Sequence, residues 1–359
     1  MLRSSGTCNR RSGGYILQLL IWSLVAVIGT GIVWKGSGLL ESASESLSLF
    51  YRLPEIVQGA IVVAIGSSFP ELATVVVSTL VHGEFELGVA AIVGSALFNI
   101  MVIPALSGLV AKHQLMTNRD LVYKEAQFYM IAVAALLLTF SFAVIYNPVE
   151  SGNDVLMGEL TRGLAILPLV LYAIYVFVQY QDTMDYQSDE DVSHVQPAKE
   201  WARLAAGLIL ILIGVEGLVR AAINFGAILD TPSFLWGITI VAAGTSIPDA
   251  FVSVRAARRG KGITSTANVL GSNIFDLLCC IPIGVLIAGS AVINYSVAAP
   301  MMAILTVATL ALFLMMRTDL ILSRKESWSL LIMYGIFVVC MGLESFNLTN
   351  FIVNFPPSQ

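Results

Sequence analysis

Three acids, Glu71, Asp249 and Asp276, lie inside apolar stretches of the chain. Glu71 ends the run Gly66-Ser67-Ser68-Phe69-Pro70-Glu71, and Asp249 ends the run Gly244-Thr245-Ser246-Ile247-Pro248-Asp249. Proline removes a backbone donor and obstructs the carbonyl four residues back. Pro70 is therefore expected to free carbonyls near Gly66 and Ser67, and Pro248 those near Gly244 and Thr245. Carboxylates, hydroxyls and bare carbonyls form an all-oxygen donor set. Calcium takes six to eight oxygens at about 2.3 to 2.6 Å, and with no His or Cys beside either run, zinc and copper are poor fits.

The two runs are copies of one another. At a constant offset of 178, Gly59, Ala64, Gly66, Ser67, Ser68, Pro70 and Glu71 fall on Gly237, Ala242, Gly244, Thr245, Ser246, Pro248 and Asp249. Pro54 falls on Pro232, and Gly36 on Gly214. Further along, at an offset of 177, Gly94-Ser95-Ala96-Leu97-Phe98-Asn99 matches Gly271-Ser272-Asn273-Ile274-Phe275-Asp276. Asn99 and Asp276 each follow a serine by four residues, so serine and amide or acid share a helix face.

The elements that hold these residues are membrane helices. The 359 residues are 57% hydrophobic and 12% charged, with a mean hydropathy of +0.83, whereas soluble domains carry about 25% charge. In such a chain an intramembrane carboxylate, costing roughly 2.5 to 3.5 kcal/mol on insertion scales, points to function. Because about 20 apolar residues span a bilayer, ten spans are expected, near 15–34, 55–80, 88–109, 126–146 and 162–180, then 202–224, 233–256, 266–289, 297–316 and 328–346. The first extends toward Leu49, since no breaker interrupts Ser42 to Leu47. The N-terminal arginines and apolar run imitate a secretory signal, but no clean cleavage site follows, and the run reads as a retained helix. Cys8, Cys279, Cys280 and Cys340 show no metal-ligand spacing. No basic patch interleaved with aromatics suggests nucleic acid.

The expected fold is thus all-α and polytopic, with residues 1–180 as a first five-helix half, 201–359 as a second, and an acidic linker at 181–200. The two repeats proper cover 59–109 and 237–289. Five spans per half insert the second copy upside down, the inverted plan of many secondary transporters, with a site at the midplane. Lysines and arginines concentrate in the loops after the odd-numbered spans, as at Lys112, Arg258, Arg259, Arg324 and Lys325, which places those loops and the linker in the cytoplasm and both termini outside. Asp182, Asp185, Asp189, Glu190 and Asp191 make the linker a solvated segment too poor in apolar residues to order itself.

The paired Gly-Ser/Thr-Ser-x-Pro-Glu/Asp and Gly-Ser-x-x-Phe-Asn/Asp runs resemble the alpha-repeats of sodium/calcium exchangers in the calcium:cation antiporter superfamily, of prokaryotic type. The resemblance covers both repeats and the ten-helix plan. It implies a multi-pass protein of a prokaryotic plasma membrane, partnered by the lipid bilayer and by calcium and sodium, without a cofactor, and not an enzyme. It further implies calcium ligation by Glu71 and Asp249 with the carbonyls of Ser67 and Thr245. Sodium ligation is implied for Ser68, Ser95, Asn99, Ser246, Ser272 and Asp276 with the carbonyls of Ala64 and Ala242. Family members also imply that the first and sixth helices slide across a fixed core, flexing through glycines such as Gly36 and Gly214.

Departures from the family pattern are Ser67 in place of Thr, Asp249 where many prokaryotic relatives have Glu, Ala96 opposite Asn273, and Asp276, which resembles the potassium-dependent branch. Two ionised acids match one Ca2+; three match three Na+, or one Ca2+ with one K+. Alternative readings are a calcium/proton antiporter, whose usual Gly-Asn-Ala-x-Glu motif is absent, and a cation channel, which needs no inverted repeat. Intramembrane aspartyl proteolysis lacks its Tyr-Asp and Gly-x-Gly-Asp signatures here.

Overall fold

The computed structural model describes residues 6–51, 64–112, 114–119, 121–150, 156–181, 196–346 and 348–349. Gly59, Pro54 and the acidic residues at 182–191 lie outside the described residues. The first half contains α1 (Gly6–Phe50), α2 (Phe69–Leu80), α3 (Phe85–Val110), α4 (Ala126–Tyr146) and α5 (Arg162–Gln181). The second contains α6 (Pro197–Leu229), α7 (Ser233–Arg258), α8 (Gly262–Ala288), α9 (Tyr295–Arg317) and α10 (Arg324–Ser345). Among the described residues, nine helices are long and apolar enough to cross a membrane. The described part of the remaining expected span is α2, preceded by the one-turn helix Ala64–Ser67.

Local chemistry sets the helix ends. Ser323 caps α10 in a reciprocal box with Glu326, and Asn294 caps α9 by accepting from the Ser296 amide. Proline stands in the first turn of α2 and α6, where its missing N–H has no partner to lose. Asp230 ends α6 in the left-handed region at φ 53°. As expected, α1 runs on past Lys35, reaching Phe50.

Burial sorts the helices. A helix apolar all round belongs in the interior, and α3, buried over most of its length, is the central one. Around it α7 and α8 pack from the second half. Long, largely exposed α1 packs chiefly on α6 at one side of this core. Gly29 faces Gly214 there, and Gly36 faces Gly207; a Cβ at any of the four would come within 2.7 to 3.0 Å of the opposing glycine's carbonyl oxygen. Gly36 and Gly214, the expected flexing points, sit inside continuous helix at this close crossing of α1 and α6. The same register of small residues lets membrane helices approach backbone to backbone.

Short strands, absent from the sequence reading, tie the loops: β1 (Leu115–Met116), β2 (Pro148–Val149), β3 (Met157–Thr161), β4 (Ser290–Asn294) and β5 (Ile321–Leu322). β1 pairs antiparallel with β5, and β3 with both β2 and β4. The α3–α4 loop thus meets the α9–α10 loop at one end, while the α4–α5 loop meets the α8–α9 loop at the other. Exchanging each loop for its counterpart five helices away converts the first pairing into the second. That relation is the one an upside-down repeat requires.

Candidate functional site

Glu71 lies in the first turn of α2 and Asp249 in α7, immediately after Pro70 and Pro248. In the first copy the helix breaks at Ser68, whose φ and ψ are −93° and 9°. The second copy differs from expectation: α7 stays helical through Pro248, and the irregularity is a wide π-helical turn just before it, Gly237–Val241. Pro248 can withhold only the N–H that would have reached Gly244, so less backbone is opened than at Ser68. A second π-helical turn, Asp276–Cys280, interrupts α8 where Asp276 faces inward. π turns inside α-helices commonly mark functional positions.

Close approach of α3 to α7 gathers the residues. A Cβ on Gly94 would lie 2.3 Å from the Ile238 carbonyl oxygen, and one on Gly237 would lie 2.8 Å from that of Leu87. With those glycines, Ser95 and Asn99 of α3 come level with Ser246 and Asp249 of α7. Ser67, Ser68, Glu71, Ser95, Asn99, Thr245, Ser246, Asp249, Ser272 and Asp276 are all buried. Ala242 is buried too, and Ala64 lies in the one-turn helix before the break.

The hydrogen bonds repeat across the halves. Ser95 Oγ donates to Glu71 Oε1 at 3.2 Å, and its counterpart Ser272 Oγ donates to Asp249 Oδ2 at 2.5 Å. Ser95 also bonds Ser246 at 2.7 Å, and the counterpart pair Ser272 and Ser68 bond at 2.5 Å. Each bridging serine therefore joins the acid of its own half to a serine of the other. The three acids lie within electrostatic reach of one another.

Symmetry ends at the departures already visible in the sequence. Asn99 Nδ2 donates to Asp249 Oδ2 at 3.3 Å and to Asn273 Oδ1 at 3.0 Å. Asn273 in turn donates to the Ala96 carbonyl at 3.1 Å and to the Tyr129 hydroxyl at 3.2 Å. Asp276 Oδ1 accepts a long contact from Cys280 Sγ, at 3.8 Å. The Ala242 carbonyl, which the resemblance implies as a sodium ligand, accepts from Thr245 Oγ1 at 3.2 Å because the intact helix brings that hydroxyl back one turn. Asn273, which the sequence marked only as a departure from the repeat, and Tyr129, which it did not single out, are positioning residues here.

Four oxygens in this cluster are buried without any hydrogen-bond partner: Glu71 Oε2, Asp249 Oδ1, Asp276 Oδ2 and Asn99 Oδ1. Leaving a buried acceptor unsatisfied costs about 1 to 3 kcal/mol, more for a charged group. Every one is an acceptor, so a cation satisfies them and a second acceptor does not. Among the described residues no three Asp, Glu, His or Cys groups form a preassembled chelate; the oxygens come from hydroxyls and an amide as well as carboxylates. Such a mixed, neutral-rich set suits hard cations that must enter and leave.

A sequence profile of the family described as sodium/calcium exchanger protein matches residues 21–181 and 199–343. The chain is similar to the sodium/calcium exchanger MaX1 of Methanosarcina acetivorans, 24% identical over 89% of this chain and 97% of that one. It is also similar to an uncharacterized membrane protein of Methanocaldococcus jannaschii, 25% identical over 88% and 95%. Human sodium/potassium/calcium exchanger 5 is 25% identical over 75% and 70%. Among solved structures, the sodium-calcium exchanger NCX_Mj soaked with 2.5 mM Na+ and 0.1 mM Sr2+ superposes with a TM-score of 0.58 at 25% identity, over 89% of this chain and 99% of that one.

Proposed function

The chain belongs to the sodium/calcium exchanger family, and from that premise we propose how its own residues perform the exchange. It is a multi-pass integral membrane protein of the prokaryotic plasma membrane, and a secondary active antiporter that exchanges calcium for sodium by alternating access. The observation that carries the site assignment is the set of four buried, unpartnered oxygens on Glu71, Asp249, Asp276 and Asn99.

Glu71 and Asp249 hold calcium from opposite halves, with the Ser67 and Thr245 carbonyls completing its shell. Ser68, Ser95, Asn99, Ser246, Ser272 and Asp276 hold sodium, with the Ala64 carbonyl. The Ala242 carbonyl joins them only if Thr245 Oγ1 turns away from it, since the two are bonded at 3.2 Å. Each bridging serine donates its one hydrogen to a carboxylate and keeps oxygen lone pairs with which it can ligate a cation, so the carboxylates and the sodium ligands are coupled through the same hydroxyls. Buried carboxylates without a counter-charge are expensive to seal from water. The loaded site is neutral and can be closed, whereas the empty site stays open, which makes the exchange obligatory.

The residue ranges 1–180 and 201–359 form the two inverted halves. The paired strands support this reading, since each loop contact has its counterpart at the opposite end. Asp276 supplies a third charge, which gives potassium a place beside calcium. A human relative named as a sodium/potassium/calcium exchanger is in keeping with that role. Calcium uptake into sealed proteoliposomes under an outward sodium gradient tests the reading, with and without potassium. Uptake indifferent to the sodium gradient overturns it.

A further inference from the structure

We propose that the cytoplasmic end of the core carries a binding site for the phosphate headgroup of an anionic phospholipid. Two cavities of about 290 and 570 Å³ open side by side at that end. They share Lys112 and Gln114 of the α3–α4 loop. Arg258 and Arg259, at the end of α7, line the first cavity, and Arg324 and Lys325, at the start of α10, line the second.

Two properties separate this cluster from the general excess of cations on the cytoplasmic side. The first is that its charge is uncompensated. Among the described residues neither cavity is lined by a carboxylate and none of these five cations makes an ion pair, whereas Arg203 and Arg220 pair with Glu200 and Glu216. The nearby acid Glu326 is committed to the Ser323 cap, through both the backbone amide and the hydroxyl. The second is depth. The cations sit at the ends of the apolar helices α3, α7 and α10, which is the level of lipid headgroups. Exposed apolar side chains flank them: Met116 at 62%, Ile263 at 45% and Trp328 at 58% exposure. Trp at this level is an interface anchor, and these side chains offer acyl chains a surface that a free phosphate has no use for. Basic pockets between membrane helices on the cytoplasmic side are suited to lipid phosphates.

The test uses the full chain in nanodiscs of phosphatidylcholine doped with phosphatidylglycerol. The readout is phosphatidylglycerol retained per protein by native mass spectrometry, with thermal stability as a folding control. The wild type is expected to enrich phosphatidylglycerol. Lys112→Gln with Arg259→Gln and Arg324→Gln is expected to lose about fivefold in enrichment per cation, on the order of a hundredfold in all. A matched triple outside the cavities, Arg119→Gln with Lys261→Gln and Arg317→Gln, removes equal charge and is expected to change enrichment far less, because none of the three lines either cavity. If the site triple does not fold, Arg324→Gln with Lys325→Gln repeats the test on α10 alone. Equal losses in site and control variants overturn the proposal in favour of bulk surface potential. Displacement of the lipid by inorganic phosphate or glycerol phosphate at comparable concentration overturns it in favour of a free anion. Because lipid retention is read directly, failure here leaves the exchange reading standing.

Discussion

Ser95 and Ser246, on helices from opposite halves of the chain, share a hydrogen bond of 2.7 Å while Ser95 also donates to Glu71. Ser272 repeats the arrangement with Ser68 and Asp249. Neither acid is held by its own repeat alone. Moving one half against the other must disturb both bridges together, which ties the conformation of the core to what occupies the acids.

Glu71→Gln and Asp249→Asn each remove one of the two like carboxylate charges that balance a bound Ca2+. Leaving a buried charge without its counter-charge costs about 3 to 5 kcal/mol, so sodium-dependent calcium uptake is expected to fall by more than about a hundredfold in either variant. Isotopic calcium flux in proteoliposomes measures it. Activity near wild type in Glu71→Gln is incompatible with the assigned role.

Ser95→Ala and Ser272→Ala delete equivalent bonds. A hydrogen bond to a charged group contributes about 1.5 to 3 kcal/mol, so each variant is expected to weaken ion binding about ten- to a hundredfold, and to a similar extent. Calcium and sodium titrations of the purified variants by calorimetry compare them. A large effect in one with none in the other contradicts equal sharing of the site between repeats.

Asp276→Asn keeps the shape of the side chain and removes its charge. Sodium/calcium exchange is expected to persist, with any potassium stimulation lost. Flux measured over a potassium series distinguishes the outcomes: an unchanged potassium response removes Asp276 from that role, and complete loss of exchange shows that the sodium set needs its charge and not only its oxygen.

Gly214→Ala places a Cβ 2.7 Å from the Gly29 carbonyl oxygen. Overpacking of this kind costs about 1 to 3 kcal/mol, so α1 and α6 are expected to separate, with a lower Tm and reduced flux. Gly31→Ala, on α1 two residues after Gly29 and with nothing within 4 Å of the added carbon, is expected to be neutral. Equal Tm values for the two variants show that the crossing is not tight in the membrane.

Asn273→Ala removes the amide that joins Asn99 to the Ala96 carbonyl and Tyr129. Because Asn273 is placed behind Asn99, the variant is expected to weaken sodium binding by about tenfold, one neutral bond's contribution, while calcium held by Glu71 and Asp249 changes less. Separate sodium and calcium titrations read the difference. An equal loss for both ions points to general collapse of the core.

The sequence by itself determined the membrane class, the spans, the duplication and the acids at its centre. Those properties are local: a span needs only about 20 apolar residues, and a carboxylate among them declares itself by its cost. Residue types also exposed where the repeat is imperfect, at Ala96 against Asn273 and Asn99 against Asp276. Tertiary structure alone placed Gly36 and Gly214 at a close crossing of α1 and α6, because the opposing helix is brought there by residues far apart in the chain. It decided likewise that α7 stays helical past Pro248 while the first copy breaks at Ser68. The same proline was read at both positions, and the second copy differs in carrying a π turn inside α7, before Pro248, against which α3 packs. Finally, Asn273 and Tyr129 became part of the site only through contacts between helices far apart in the chain, which no local pattern encodes.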